Sequence, residues 1–193
     1  MENRFSSVGY LQCGITQGIP EKNFSTVDQM IETHGARLVN SLVVLPELWN
    51  TGFMDEGLTQ VAVDSHNQSL EFLLKISEKY KFCLCGSMPE LVEKEGETIL
   101  YNTLYVVCNG YFCGKIRKQN LFRFWSEELL FDEGRNPSIV ETPLGFVGGL
   151  VCYDLRFPDI SRELCQQGAD ILIYSAQWPS ARITHWNTLL QAR

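Results

Sequence analysis

The sequence predicts an α/β fold with a mixed sheet, and two observations predict it. Short apolar, strand-like runs alternate along the chain with stretches whose apolar residues recur at helical spacing. Asn109-Gly110 joins two of the strand-like runs as a hairpin, which makes neighbours antiparallel, whereas the helical stretches are crossovers, which make them parallel.

The elements follow in order. Val8 to Ile15 reads as a strand. Asn23 to Leu38 reads as an amphipathic helix, with Phe24, Val27, Ile31 and Leu38 on its apolar stripe. Ser41 to Leu45 is a short strand, stopped by Pro46. Ser69 to Tyr80 carries Leu70, Leu73, Leu74 and Ile76 at helical spacing, and Phe82 to Ser87 is again a strand. Asn102 to Cys108 and Tyr111 to Arg117 flank the Asn-Gly turn, whose residues favour type I′. Phe146 to Cys152 reads as a buried strand of small and apolar residues. Pro158 suits the first turn of a helix that runs to about Gln167 and ends at Gly168. Ile171 to Ser175 is a strand, and Arg182 to Arg193 a helix. That helix ends with no capping residue, Gly or Pro, so the expectation is a chain cut short at its C-terminus.

The chain has 193 residues, and 16 Lys and Arg against 23 Asp and Glu give a net charge of −7. This is the length of a single domain, residues 1–193, able to bury a core without disulfides or a metal. The acidic balance argues against nucleic acid as the partner, because phosphate binding needs clustered Lys and Arg. No apolar run approaches the ~18 residues of a membrane span, and the polar Met1 to Ser7 carries no signal-peptide pattern. The expectation is a cytoplasmic protein with no membrane partner. The seven cysteines, odd in number and mostly in apolar runs, read as reduced thiols rather than a disulfide framework. Cys83 and Cys85 share one face of a strand, but their spacing is not that of a zinc knuckle and no second pair completes it.

Three segments share one design, an apolar strand ending in a reactive side chain. In Leu42-Val43-Val44-Leu45-Pro46-Glu47, a carboxylate just past a buried strand can serve as a general base, or simply cap the next turn. In Lys115-Ile116-Arg117-Lys118, a lysine at a strand end can stabilise an oxyanion, or be a solvated edge charge. In Gly148-Gly149-Leu150-Val151-Cys152-Tyr153-Asp154-Leu155-Arg156-Phe157-Pro158, a strand enters a tight turn and then a helix. Cys152 at that bend fits a nucleophile, or a small buried hydrophobe. His34, His66 and His185 offer no better base, and His185, beside Trp186 on a helix, reads as a packed structural residue.

Together these segments resemble the motifs of the nitrilase superfamily, the carbon–nitrogen hydrolases, which use a Glu–Lys–Cys triad. Glu47 lies in Leu-Pro-Glu-Leu-Trp-Asn-Thr-Gly-Phe, Lys118 in Arg-Lys-Gln-Asn-Leu-Phe, and Cys152 in Val-Cys-Tyr-Asp-Leu-Arg-Phe-Pro-Asp. They occur in the family's order, 71 and then 34 residues apart. The resemblance runs from the first strand to Arg193 and implies a four-layer α-β-β-α sandwich, incomplete at its C-terminus. It implies a second glutamate after the lysine, matched here to Glu127 with Glu128 as the alternative. It implies hydrolysis of a small-molecule amide through a Cys152 thioester with no metal or organic cofactor, and a homo-oligomer in the complete protein. Asn120-Leu121-Phe122-Arg123, the Cys152 to Pro158 segment, and Gln177-Trp178-Pro179 through His185-Trp186 to Ala192-Arg193 resemble the omega-amidase branch, which acts on 2-oxo acid amides such as 2-oxoglutaramate. Asn120 stands where many relatives carry histidine. Tyr153, through a nearby backbone N–H, and Arg182, as a cation for a substrate carboxylate, complete the expected site; Arg156 reads instead as held by Asp154 and Asp159. The competing expectation is a truncated, inactive module that only binds or oligomerises.

Overall fold

The computed structural model describes residues 5–193, so the first four residues of the polar N-terminal segment lie outside the described residues. The first five strands are β1 (Val8–Tyr10), β2 (Leu42–Val44), β3 (Cys83–Lys94), β4 (Glu97–Cys108) and β5 (Tyr111–Arg117). They form one sheet in chain order, parallel from β1 to β3 and antiparallel from β3 to β5. A second sheet holds β6 (Ile139–Thr142), β7 (Gly145–Val151) and β8 (Ile171–Ser175), with β6 antiparallel and β8 parallel to the central β7. The helices are α1 (Pro20–His34), α2 (Leu58–Tyr80), α3 (Pro158–Gln166) and α4 (Ile183–Ala192).

Strand alternation gives each sheet two apolar faces, and both are covered. One core cluster lies between the sheets, where Leu42, Cys85, Leu104 and Ile116 of the first meet Val147, Val151 and Ile173 of the second. A second cluster packs Val27, Ile31, Leu73 and Ile76 of α1 and α2 on Val43, Leu84, Tyr105 and Val107 of the first sheet's other face. Gly148 and Gly149 show why β7 sits in the middle. A Cβ on Gly149 would collide with Leu104 and Ile116 of the facing sheet, and one on Gly148 would press on Leu172 and, in α3, Leu164. The two absent side chains let the sheet opposite and the helix behind approach β7 together. The order of layers is helix, sheet, sheet, helix, the sandwich that the resemblance implies. A buried seam joins the sheets: Ser175 Oγ donates to Leu45 O at 2.9 Å, and Ser87 N–H donates to Ser175 Oγ at 3.2 Å.

The strand expected over Val8 to Ile15 pairs only to Tyr10, and beyond Leu11 the chain turns so that Thr16 N–H reaches Asn23 Oδ1. Helix α2 begins 11 residues earlier than its leucine spacing suggests, at Leu58 rather than Ser69. Its first turns bury Ala62, Ser65 and Ser69, small residues that give little hydrophobic signal. Two elements go unread in the sequence. One is β6, and the other is the outer part of the β3–β4 hairpin, closed by Glu95-Gly96 with φ of 53° and 86°. Asn109 and Gly110, with φ of 53° and 87°, form the expected left-handed two-residue turn.

The expectation of seven reduced thiols is corrected at one pair: Cys83 and Cys108 are joined by a disulfide. They face each other across the β3–β4 ladder, where directly opposed side chains come within bonding reach. Their separation of 25 residues hides this in the sequence, because only strand register brings them together. Cys13, Cys85, Cys113, Cys152 and Cys165 are free. Among the described residues, no helix is long and apolar enough to cross a membrane.

Candidate active site

Three strand ends and the loops beyond them meet at one edge of the sandwich. Glu47 follows β2 in a buried turn, Lys118 is the first residue after β5, and Cys152 is the first after β7. Lys118 is held through its own peptide, since its N–H donates to Asn102 O at 2.8 Å and its carbonyl accepts from Gly134 N–H at 2.7 Å. Cys152 takes φ of +44°, a left-handed conformation that side chains adopt at a cost, as the tight turn from β7 into the Cys152–Arg156 3-10 turn demands.

The ammonium of Lys118 lies between two carboxylates. Its Nζ donates to Glu47 Oε1 at 2.8 Å and to both oxygens of Glu127 at 2.8 Å. All three side chains are at most 1% exposed. Burial alone would lower the Lys118 pKa, but the charges of Glu47 and Glu127 outweigh it and raise it well above the ordinary ammonium range. Glu127 also accepts from Phe122 N–H at 2.6 Å, whereas Glu128 is exposed, so of the two candidates Glu127 is the one brought to the lysine.

Cys152 faces this cluster and is 8% exposed. Its thiol donates to Gln177 O at 3.6 Å. Gln177 in turn holds Glu47: its N–H donates to Glu47 Oε2 at 3.2 Å, and its side-chain amide donates to the Glu47 carbonyl at 2.7 Å. Burial, and then the Glu47 charge, push the Cys152 pKa far up, with Lys118 opposing them. The resting group is a neutral thiol beside a carboxylate. Such a thiol becomes a nucleophile when the carboxylate takes its proton as the new bond forms.

A cavity of about 590 Å³ opens over the sulfur. Phe53, Phe122, Trp125, Tyr153 and Trp178 give it aromatic walls, and Arg156 and Arg182 give it positive charge. Arg156 does not pair with Asp154 or Asp159 as expected. Asp154 is engaged elsewhere, and Asp159 pairs with Arg162 at 3.4 Å. The Arg156 guanidinium lies 5.2 Å from the Trp178 ring centre and 5.7 Å from that of Tyr153, and donates to His185 Nδ1 at 3.2 Å. His185 is exposed on the cavity rim, not packed inside as the sequence suggests, because no residue of α4 is buried.

Sequence reasoning assigned no site role to three residues that the structure places there, Gln177, Asn102 and Asp154. Asn102 donates to Glu47 and Glu127 but lies mid-strand, in no motif that points to chemistry. Asp154 is 2% exposed and ties the two loops together. Its carboxylate accepts Asn120 N–H at 2.8 Å, Asn120 Nδ2 at 3.0 Å and Val151 N–H at 3.1 Å. Burial raises its pKa to about 6, against the hydrogen bonds from Asn120 that lower it. The folded protein therefore keeps this proton to higher pH than the unfolded chain does. The contribution of Asp154 to stability falls as pH rises from about 4 to about 6. Relative to wild type, Asp154→Asn is expected to gain on the order of 3 kcal/mol of unfolding free energy between those limits, read by urea titration. A difference that stays constant across that range would contradict this account.

A family model described as carbon–nitrogen hydrolase matches residues 7–193. The 2-oxoglutaramate amidase of Bacillus subtilis (strain 168) is 32% identical over 189 residues, a match covering 97% of this chain and 71% of that protein. The chloroplastic omega-amidase of Arabidopsis thaliana is 28% identical over 202 residues, covering 97% of this chain and 53% of its own length. In fold, an amidase from Nesterenkonia sp. superposes with a TM-score of 0.83 at 20% identity, covering 96% of this chain and 70% of that one.

Proposed function

This chain belongs to the carbon–nitrogen hydrolase family, and on that premise we propose that it is an omega-amidase, releasing ammonia from the side-chain amide of a 2-oxo acid amide such as 2-oxoglutaramate. The observation that carries this reading is a cysteine thiol set against a buried carboxylate–lysine–carboxylate cluster beneath a cavity bearing two guanidinium groups. The 2-oxoglutaramate amidase among its relatives supports the substrate class.

In the proposed mechanism Glu47 takes the Cys152 proton as the sulfur attacks the amide carbon. The oxygen of the amide gathers negative charge, which Lys118 and the backbone N–H of Tyr153 offset. Glu47 returns the proton to the departing nitrogen, ammonia leaves, and a thioester remains. Glu47 then deprotonates a water that attacks the thioester, freeing the carboxylic acid and restoring the thiol. Glu127 keeps Lys118 charged and oriented. The proton transfers and the nucleophile are supplied by Glu47, Cys152 and one water.

Specificity is proposed to rest on the cavity's cations. A dicarboxylate mono-amide leaves a carboxylate free, and Lys118 is committed to Glu47 and Glu127. Arg156 and Arg182 are the guanidinium groups on the cavity wall. Arg182→Ala and Arg156→Ala are each expected to raise KM for 2-oxoglutaramate by about tenfold or more, with a smaller fall in kcat. Neither is expected to affect an uncharged amide of similar size. Equal wild-type kcat/KM for the charged and uncharged amides would eliminate carboxylate recognition and leave a general amidase.

A further inference from the structure

Asn102 sits inside the cluster and belongs to none of the three motifs. Its side chain is 1% exposed. Its Nδ2 donates to Glu47 Oε1 at 2.9 Å and reaches Glu127 Oε1 at 3.3 Å. Its backbone carbonyl accepts the Lys118 N–H, so the amide and the lysine are held in fixed register. The nitrogen faces the carboxylates because the reverse orientation would set an oxygen against two of them. Its Oδ1 is buried with no hydrogen-bond partner. A buried acceptor left without a partner destabilises the fold, which is not the mark of a residue serving stability alone.

The two oxygens of Glu47 meet different partners. Lys118 and Asn102 both donate to Oε1. Oε2 receives the N–H of Gln177, the residue whose carbonyl accepts the Cys152 thiol. We propose that Asn102 is a positioning residue for Glu47: with Lys118 it saturates Oε1, fixes the carboxylate plane, and leaves Oε2 as the oxygen that takes the Cys152 proton. This rests on the reading of Glu47 as the base. In the transfer the S–H bond breaks, an O–H bond forms on Oε2, and the sulfur electron pair forms the C–S bond. An amide here also keeps the cluster at one net negative charge, where an aspartate would make it two.

Two variants in the full chain test this, Asn102→Asp and Asn102→Leu. The readouts are the pH profile of ammonia release and the rate at which iodoacetamide alkylates Cys152, followed by peptide mass spectrometry. Asn102→Asp is expected to lose about 100-fold in kcat at pH 8 with KM within about threefold. Its rate should recover on acidification, since a protonated Asp can donate to Oε1 as the amide does. Asn102→Leu removes the donor without adding a charge, so kcat and the alkylation rate of Cys152 should fall together, by about tenfold, with KM within about threefold. A loss of equal factor at every pH in both variants, or no loss, overturns the proposal. Failure of both variants to fold would make Asn102 a structural residue and overturn it equally. If wild type releases no more ammonia than Cys152→Ala, the amidase reading fails, while the alkylation profile still decides the role of Asn102.

Discussion

Cys152→Ala is expected to reduce ammonia release from 2-oxoglutaramate by on the order of 10⁴-fold or more, with little change in stability. The effect is large because no neighbouring group can take over. Among the free cysteines, Cys85 is fully buried and lies between the sheets, and Cys13, Cys113 and Cys165 are not on the cavity wall. The fold should tolerate the change: alanine and cysteine meet the same steric cost at φ of +44°, and only one sulfur is lost. Ammonia release measured beside a thermal melt separates lost chemistry from lost structure. A variant retaining more than a tenth of wild-type kcat/KM would exclude covalent catalysis at Cys152.

Lys118→Met is expected to damage both function and fold. Removing one partner of a buried ion pair typically costs about 3–5 kcal/mol, because the other charge is left behind. Here two carboxylates would be left, with Asn102, Phe122 N–H and Gln177 N–H as their remaining donors. Activity should fall by about 10²–10³-fold through the oxyanion alone. The pH dependence carries the sign. In wild type the pKa of Lys118 is raised, so its stabilisation is full below the ordinary ammonium range and is lost only as pH rises through the folded value, far into alkali. The deficit of the variant relative to wild type should therefore be as large at pH 8 as at pH 5, since Lys118 carries its charge at both. Urea titrations at the two pH values measure this. A deficit that vanished by pH 8 would mean that Lys118 is neutral there, contrary to its raised pKa.

How far the sequence could be read depended on range. The core helices and strands were legible because leucine spacing in α2 and β-branched runs in β2 and β8 are local signals. The start of α2 was hidden by its serine- and alanine-lined buried face. Glu47, Lys118, Glu127 and Cys152 could be nominated because each lies in a short motif, yet their meeting depends on register across two sheets. Asn102 and Asp154 act through bonds that span 25, 55 and 34 residues, and nothing adjacent in the chain marks them. The Cys83–Cys108 bond was misread for the same reason.

The positions of the site residues along the chain bear on how an emerging polypeptide is handled. Glu47, Asn102, Lys118 and Glu127 all precede Cys152, and the first sheet is complete once β5 has been made. Synthesis proceeds at about 5–20 residues per second, so the charged cluster has its members seconds before Gln177 is made. The sulfur is fixed only when β8 docks and Gln177 spans 130 residues back to Glu47. The reactive centre is therefore completed only after the first sheet, because a chain stopped before β8 holds the base and the lysine without the segment that seats the nucleophile.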